Sequence, residues 1–204
     1  MAGLDLNVDI DSGDLQRAYL MLGDVKDAVP KVKTRAINRV LSGVVTDAVK
    51  EIRTVITPTA KVIKATFTTK KASIASSSAL VKSTGKPLGL IHYKANATNK
   101  GVTVQIKKGN RRTLFQGAVI ATMKSGHKGV FSREKPPYRS KASSSLPWAK
   151  FGKKYRLPIH EKFGPRVPDI LSNPPIYEAV EKKACVRLHK RIIHEIDYEL
   201  SRLE

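Results

Sequence analysis

The chain has 204 residues, 41% of them hydrophobic and 6% aromatic, and a formal net charge of +21 from 38 Lys and Arg against 17 Asp and Glu. That length suits one domain with a modest core, and no apolar run approaches the roughly 18–20 residues of a membrane span. Cys185 is the only cysteine, which excludes an internal disulfide and fits a reducing cytoplasm.

The charge is unevenly spread. Asp5, Asp9, Asp11, Asp14, Asp24 and Asp27 make residues 1–30 acidic against Arg17 and Lys26 alone, whereas Ile52 to Arg133 holds sixteen Lys and Arg and no acidic residue. Surplus charge can serve solubility. So lopsided a stretch points instead to a polyanion or an acidic neighbouring subunit.

Leu4, Leu6, Val8 and Ile10 alternate with polar residues, the period-two pattern of a short strand. This acidic, alternating start reads as neither a signal peptide nor a transit peptide. Turn and cap residues Asp11 to Asp14 follow, then a helix with Leu15, Ala18, Tyr19, Leu22 and Val25 on one face, so 1–28 reads as an acidic strand and helix.

A long helix is predicted over 30–56. Pro30 suits its first turn, Asp27 precedes it as a cap, and Val32, Ala36, Ile37, Val40, Leu41, Val44, Val45, Ala48, Val49 and Ile52 recur at helical spacing until Pro58 stops it. A stripe so regular is a packing face and holds no catalytic group.

Residues 60–131 form a basic, strand-rich region. A brief helical piece fits Ala60 to Phe67, and the Ser/Thr/Lys-rich run to Gly85 reads as strand or exposed loop. Val102, Val104 and Ile106 alternate up to Gly109 and Asn110, a two-residue hairpin turn that would set Phe115 opposite Val104 and crowd Lys107, Lys108, Arg111 and Arg112 at its tip. Gln116 to Met123 reads as a further strand.

Residues 132–158 are a basic Ser/Pro-rich loop carrying Tyr138, Trp148, Phe151 and Tyr155. Loops this long are functional or disordered. A C-terminal helix is predicted over 175–203, with Ile176, Val180, Ala184, Leu188, Ile192, Ile196, Leu200 and Leu203 on its buried face. Together these elements predict an α+β fold in a single domain, a small antiparallel β-sheet packed against the long amphipathic helix and the C-terminal helix.

No motif assembles a catalytic or metal site. His189 and His194 lie five apart, about 140° around a helix rather than on one face, and no HExxH or cysteine pair occurs. Gly85-Lys86 lacks the first glycine and the Ser/Thr of a phosphate loop. Asp47, Glu51, Glu134, Glu161 and Asp169 are scattered over different elements, which leaves His160-Glu161 as the one pair a hydrolase reading would need. The expectation is therefore no enzyme, no cofactor and no metal.

Phosphate contact needs only dense Lys and Arg on one surface. The aromatics from Tyr138 to Tyr155 would either stack on single-stranded bases or anchor a partner subunit. No sequence-reading motif is visible.

Two blocks carry a resemblance. Gly117 to Phe131 reads GAVIATMKSGHKGVF, with Arg133 two residues on, and Arg156 to Pro168 reads RLPIHEKFGPRVP. In this order, after a long amphipathic helix and before a final one, they resemble the phage minor tail protein Z family. The blocks cover 117–131 and 156–168, and the helices extend the likeness more weakly over 30–204. It says little of residues 134–155.

The resemblance implies a virion protein, assembled in the host cytoplasm, that completes the tail at its head-proximal end. It implies a ring of copies, six by tail symmetry, between the tail terminator and a head-side connector or neck protein, with double-stranded genomic DNA passing through and no membrane involved. On that reading Lys107, Lys108, Arg111, Arg112, Lys124, His127, Lys128 and Arg133 face DNA or an acidic neighbour, and Tyr138, Trp148, Phe151 and Tyr155 anchor a partner. The other readings are a nonspecific nucleic-acid-binding protein without a virion role and a hydrolase acting at His160-Glu161.

Overall fold

A computed structural model describes residues 4–8, 13, 16, 18, 20–21, 28–76, 78–83, 85–133 and 159–202. The chain forms two compact units, Met1–Pro87 with Pro165–Glu204, and Leu88–Gly164. Helices combine with small antiparallel sheets, an α+β fold. Among the described residues the strands divide among four sheets rather than one.

The first unit is built on α1 (Ala28–Val55) and the C-terminal helix α4 (Pro174–Leu200), which pack against each other. At 1.5 Å per residue they run about 42 and 40 Å. Val32, Ala36, Ile37, Val40, Val44, Ala48 and Ile52 of α1 are all buried, at the three-to-four-residue spacing that keeps one face turned inward. From α4 come Ile176, Val180, Ala184, Leu188, Ile192 and Ile196, one residue per turn. Full burial of each Val or Ile stabilises by about 1.5–3 kcal/mol.

Ion pairs fix the direction and register of these helices. Arg35 pairs with Glu199, Asp47 with Arg187 at 2.6 Å, and Glu51 with Lys183. As the number climbs along α1 it falls along α4, so the helices are antiparallel. Gly43 gives the Arg187 side chain room to cross α1, since a Cβ there would lie 2.5 Å from its Nη1.

Pro58 ends α1, and α2 (Ala60–Lys64) follows. The run to Gly85, open between strand and loop from sequence, contains β2 (Phe67–Lys70) and β3 (Ala79–Ser83). With β1 (Leu4–Val8) these form a sheet ordered β1-β3-β2, in which Val81 lies opposite both Leu6 and Thr69. Alternate β3 residues Ala79, Val81 and Ser83 are buried, and β3 packs on α1. Asn38 of α1 holds the β2–β3 connection by a two-point pairing with Ala72: its Nδ2 donates to the Ala72 carbonyl at 2.9 Å and its Oδ1 accepts from the Ala72 amide at 2.8 Å. The short helix α3 (Val167–Leu171) leads into α4, and prolines occupy the first turn of each.

The chain between the helices carries β4 (Pro87–Gly89), β5 (Asn96–Thr98), β6 (Gly101–Val104), β7 (Thr113–Gln116), β8 (Ala118–Thr122), β9 (Lys128–Arg133), β10 (Ile159–Glu161) and β11 (Phe163–Arg166). Sheets β5-β6-β7 and β10-β9-β8 belong to the second unit, and β4 pairs with β11. Leu90, Tyr93, Val102, Val104, Ala118, Val130 and Phe131 form the second unit's core.

The hairpin expected at Gly109-Asn110 takes another register. Phe115 pairs with Val102 and Thr113 with Val104, so the connection runs from Gln105 to Arg112. A two-residue turn would set Lys108 against Arg111 and Lys107 against Arg112, and directly opposed like charges repel. The Gln105 amide instead donates to the Tyr93 carbonyl at 3.0 Å, ending the ladder at Val104. A slip of two residues leaves every side chain on its intended face.

No helix among the described residues is long and apolar enough to cross a membrane.

Candidate interaction surfaces

The β6–β7 loop presents Lys107, Lys108, Arg111 and Arg112, all exposed. Gly109, at φ +84°, turns the loop, and Gln105 Nε2 braces it by donating to the Asn110 carbonyl at 3.2 Å. Arg112 has a second task. Its guanidinium donates to the Lys94 carbonyl, to the Thr103 carbonyl at 3.1 Å and to Thr103 Oγ1 at 3.3 Å, tying the loop to β6.

Lys124 and His127 lie on the β8–β9 turn, Lys128 and Arg133 at the two ends of β9, and all four are exposed. The turn closes through the Met123 amide to the His127 carbonyl at 2.8 Å and the Gly126 amide to the Met123 carbonyl at 2.9 Å. Gly126, at φ +82°, adopts the left-handed conformation this needs. Gly129 is required for a different reason: a Cβ there would stand 2.7 Å from Glu161 Oε1 and 3.0 Å from the Phe131 ring.

That carboxylate joins the two sequence blocks. His127 Nε2 lies 3.0 Å from both Glu161 oxygens, and the imidazole meets the buried Phe131 ring edge-on at 6.3 Å. Glu161 pairs with Phe131, and Phe131 with Val119, so residues far apart in the chain stand in one row across β10-β9-β8. His127, expected to face DNA or an acidic neighbour, makes this side-chain bridge within the unit.

The bridge leaves the charge of the second unit's described residues unopposed. Among its described residues Glu161 is the only acid, and His127 holds it, while Lys94, Lys100, Lys107, Lys108, Arg111, Arg112, Lys124, Lys128, Arg133 and Lys162 are all exposed. Ten cations face one occupied carboxylate.

His160 and Glu161 are successive residues of β10 and so project to opposite faces, unlike the converging pair a hydrolase would need. No group of three His, Cys, Asp or Glu able to hold a metal occurs among the described residues. Tyr138, Trp148, Phe151 and Tyr155 lie outside the described residues.

One surface has no counterpart in the sequence reading. On α4, opposite the buried stripe, Ala179, Lys182, Lys183, Val186, Arg187 and Lys190 line an open, apolar groove, and Val186 and Ile193 are exposed. Its signal is the apolar residues seven apart at 179, 186 and 193, but the lysines between them make the face look solvated.

No curated protein and no solved structure matches the chain. The sequence model of the prophage minor tail protein Z family matches residues 15–203, taking in both blocks, both long helices and every cation of the second unit. The chain therefore belongs to the prophage minor tail protein Z family, a structural protein of the phage tail and so of the virion.

Proposed function

We propose that this minor tail protein assembles as a ring at the head-proximal end of the tail, where it joins the tail terminator to the head-side connector and surrounds the path of the genome. The observation that carries this reading is the ten exposed cations against one occupied carboxylate among the second unit's described residues. Such a surface attracts phosphates without reading sequence, which suits a conduit through which all of a genome must slide. Lys107, Lys108, Arg111, Lys124, Lys128 and Arg133 meet the polyanion, and Arg112 and His127 hold the loops that present them. The protein acts by contact and charge and catalyses no reaction.

Imaging tails assembled with a density-labelled chain tests this directly. The expected result is label confined to a closed ring at the head-proximal end, with heads failing to join tails that lack the protein. Label along the tail tube or at its distal end overturns the placement.

A further inference from the structure

The α4 groove carries an inference about how copies of this chain meet, resting on the reading that they associate with one another. Six buried apolar residues already place one face of α4 against the rest of the first unit. On the opposite face Val186 is 51% exposed and Ile193 44% exposed, and the groove floor around Val186 is apolar. An exposed seam of this kind marks a contact when its rim has a matching chemistry.

Here the rim is cationic. Lys183 and Arg187 are held by Glu51 and Asp47 of α1. Lys182 and Lys190, one turn before and one turn after Val186, pair with no carboxylate among the described residues, and both are exposed. Two α4 grooves brought face to face would oppose these lysines, so charge disfavours symmetric pairing of α4 with itself.

The same chain carries the complement. Its first 27 residues hold six aspartates against Arg17 and Lys26. Within that segment Leu20 is 83% exposed and Met21 59% exposed, while Ala18 is buried. Asp24 and Asp27 follow Leu20 by four and seven residues, so the sequence sets acids at helical spacing from an exposed apolar side chain.

We propose that the acidic N-terminal segment of one copy, residues 9–27, docks in the α4 groove of the next, with Leu20 and Met21 against Val186 and Ile193 and the aspartates beside Lys182 and Lys190. The two patches differ, so the contact is head-to-tail and repeats from copy to copy, the kind that closes into a ring or runs on as a filament.

A charge swap tests it on the full chain. One variant carries Lys182→Glu and Lys190→Glu, the other Asp11→Lys and Asp24→Lys; Asp27 is left alone because an acid just before α1 also favours that helix's N-terminus. Sedimentation over a concentration series is expected to show the wild-type mass rising with concentration. Each variant alone should associate at least tenfold more weakly, since its own patches now repel. An equimolar mixture should recover the wild-type association, because each variant's segment then matches the other's groove, and that recovery shows both variants folded. If the wild type associates and both variants do so equally well, the contact lies elsewhere and this assignment falls while the ring survives. A wild type that stays monomeric at every concentration overturns the contact, and the labelled-tail images then judge the ring separately.

Discussion

The two units handle charge in opposite ways. In the helical unit, acids on α1 or α4 find cations on the facing helix: Asp47 with Arg187, Glu51 with Lys183, Glu199 with Arg35. Among the described residues of the sheet unit, ten exposed cations share a single acid that His127 already holds. Paired charges at a helix interface set register and orientation. Unpaired ones of a single sign cost folding energy by mutual repulsion and store attraction for something outside the molecule. One region's charges thus serve the fold, and the other's serve a partner.

The largest expected effect sharpens this contrast by showing that the sheet unit is rigidly built despite its charge. Gly101 has φ +144°, and a Cβ there would stand 2.2 Å from the Phe115 carbonyl oxygen, a backbone atom that cannot step aside. Gly101→Ala should cost on the order of 3–5 kcal/mol, measured as reduced amide protection in β5, β6 and β7 with α1 and α4 retained. Loss of protection confined to the helices would break the account.

Next comes Tyr93, which has no exposed surface; burial pushes its phenol from 10.0 up to about 12. Since the folded value is raised, the stabilisation is complete below pH 10 and is lost as pH rises to about 12. The loss is on the order of 2 kcal/mol. Denaturant titrations over that range should show it, and Tyr93→Phe should flatten the dependence attributable to this residue. A profile unchanged by Tyr93→Phe would contradict the assignment.

The third prediction sets the units side by side. Asp47→Ala leaves the Arg187 guanidinium without its partner and should cost about 1–2 kcal/mol, the half-exposed arginine moderating the loss. Removing Lys107, Lys108 and Arg111 together should leave stability unchanged within about 0.5 kcal/mol, or raise it slightly. A destabilisation by the triple substitution matching that of Asp47→Ala would erase the distinction. The smallest effect belongs to the exposed bridge: His127→Ala should cost about 0.5–1 kcal/mol, read from faster amide exchange at β10.

The helices were legible because burial imposes a period. The stripe from Val32 to Ile52 and the row from Ile176 to Ile196 announced both faces, and Pro58 announced where the first would stop. The basic residues were legible as composition, since Ile52 to Arg133 holds no acid. Two things were not. The register of β6 and β7 depended on Tyr93 capturing the Gln105 amide, an interaction with no local signature. The His127–Glu161 bridge joins residues 34 apart in the chain, and nothing in either block alone names the other as its partner. The α4 groove was hidden because lysine stems line an apolar floor as readily as they face water.

The most direct test of the central claim is the salt dependence of binding to short duplex DNA. Wild type, the Lys107→Ala/Lys108→Ala/Arg111→Ala chain and a Lys183→Ala/Arg187→Ala chain would be compared across a salt series. The account predicts that the first variant flattens the slope of log affinity against log salt by as much as about 0.9 for each phosphate the loop no longer neutralises. The second variant, whose charges serve the helix interface, should keep the wild-type slope. Equal slopes for wild type and the loop variant, or a flattening only in the helix variant, would contradict it.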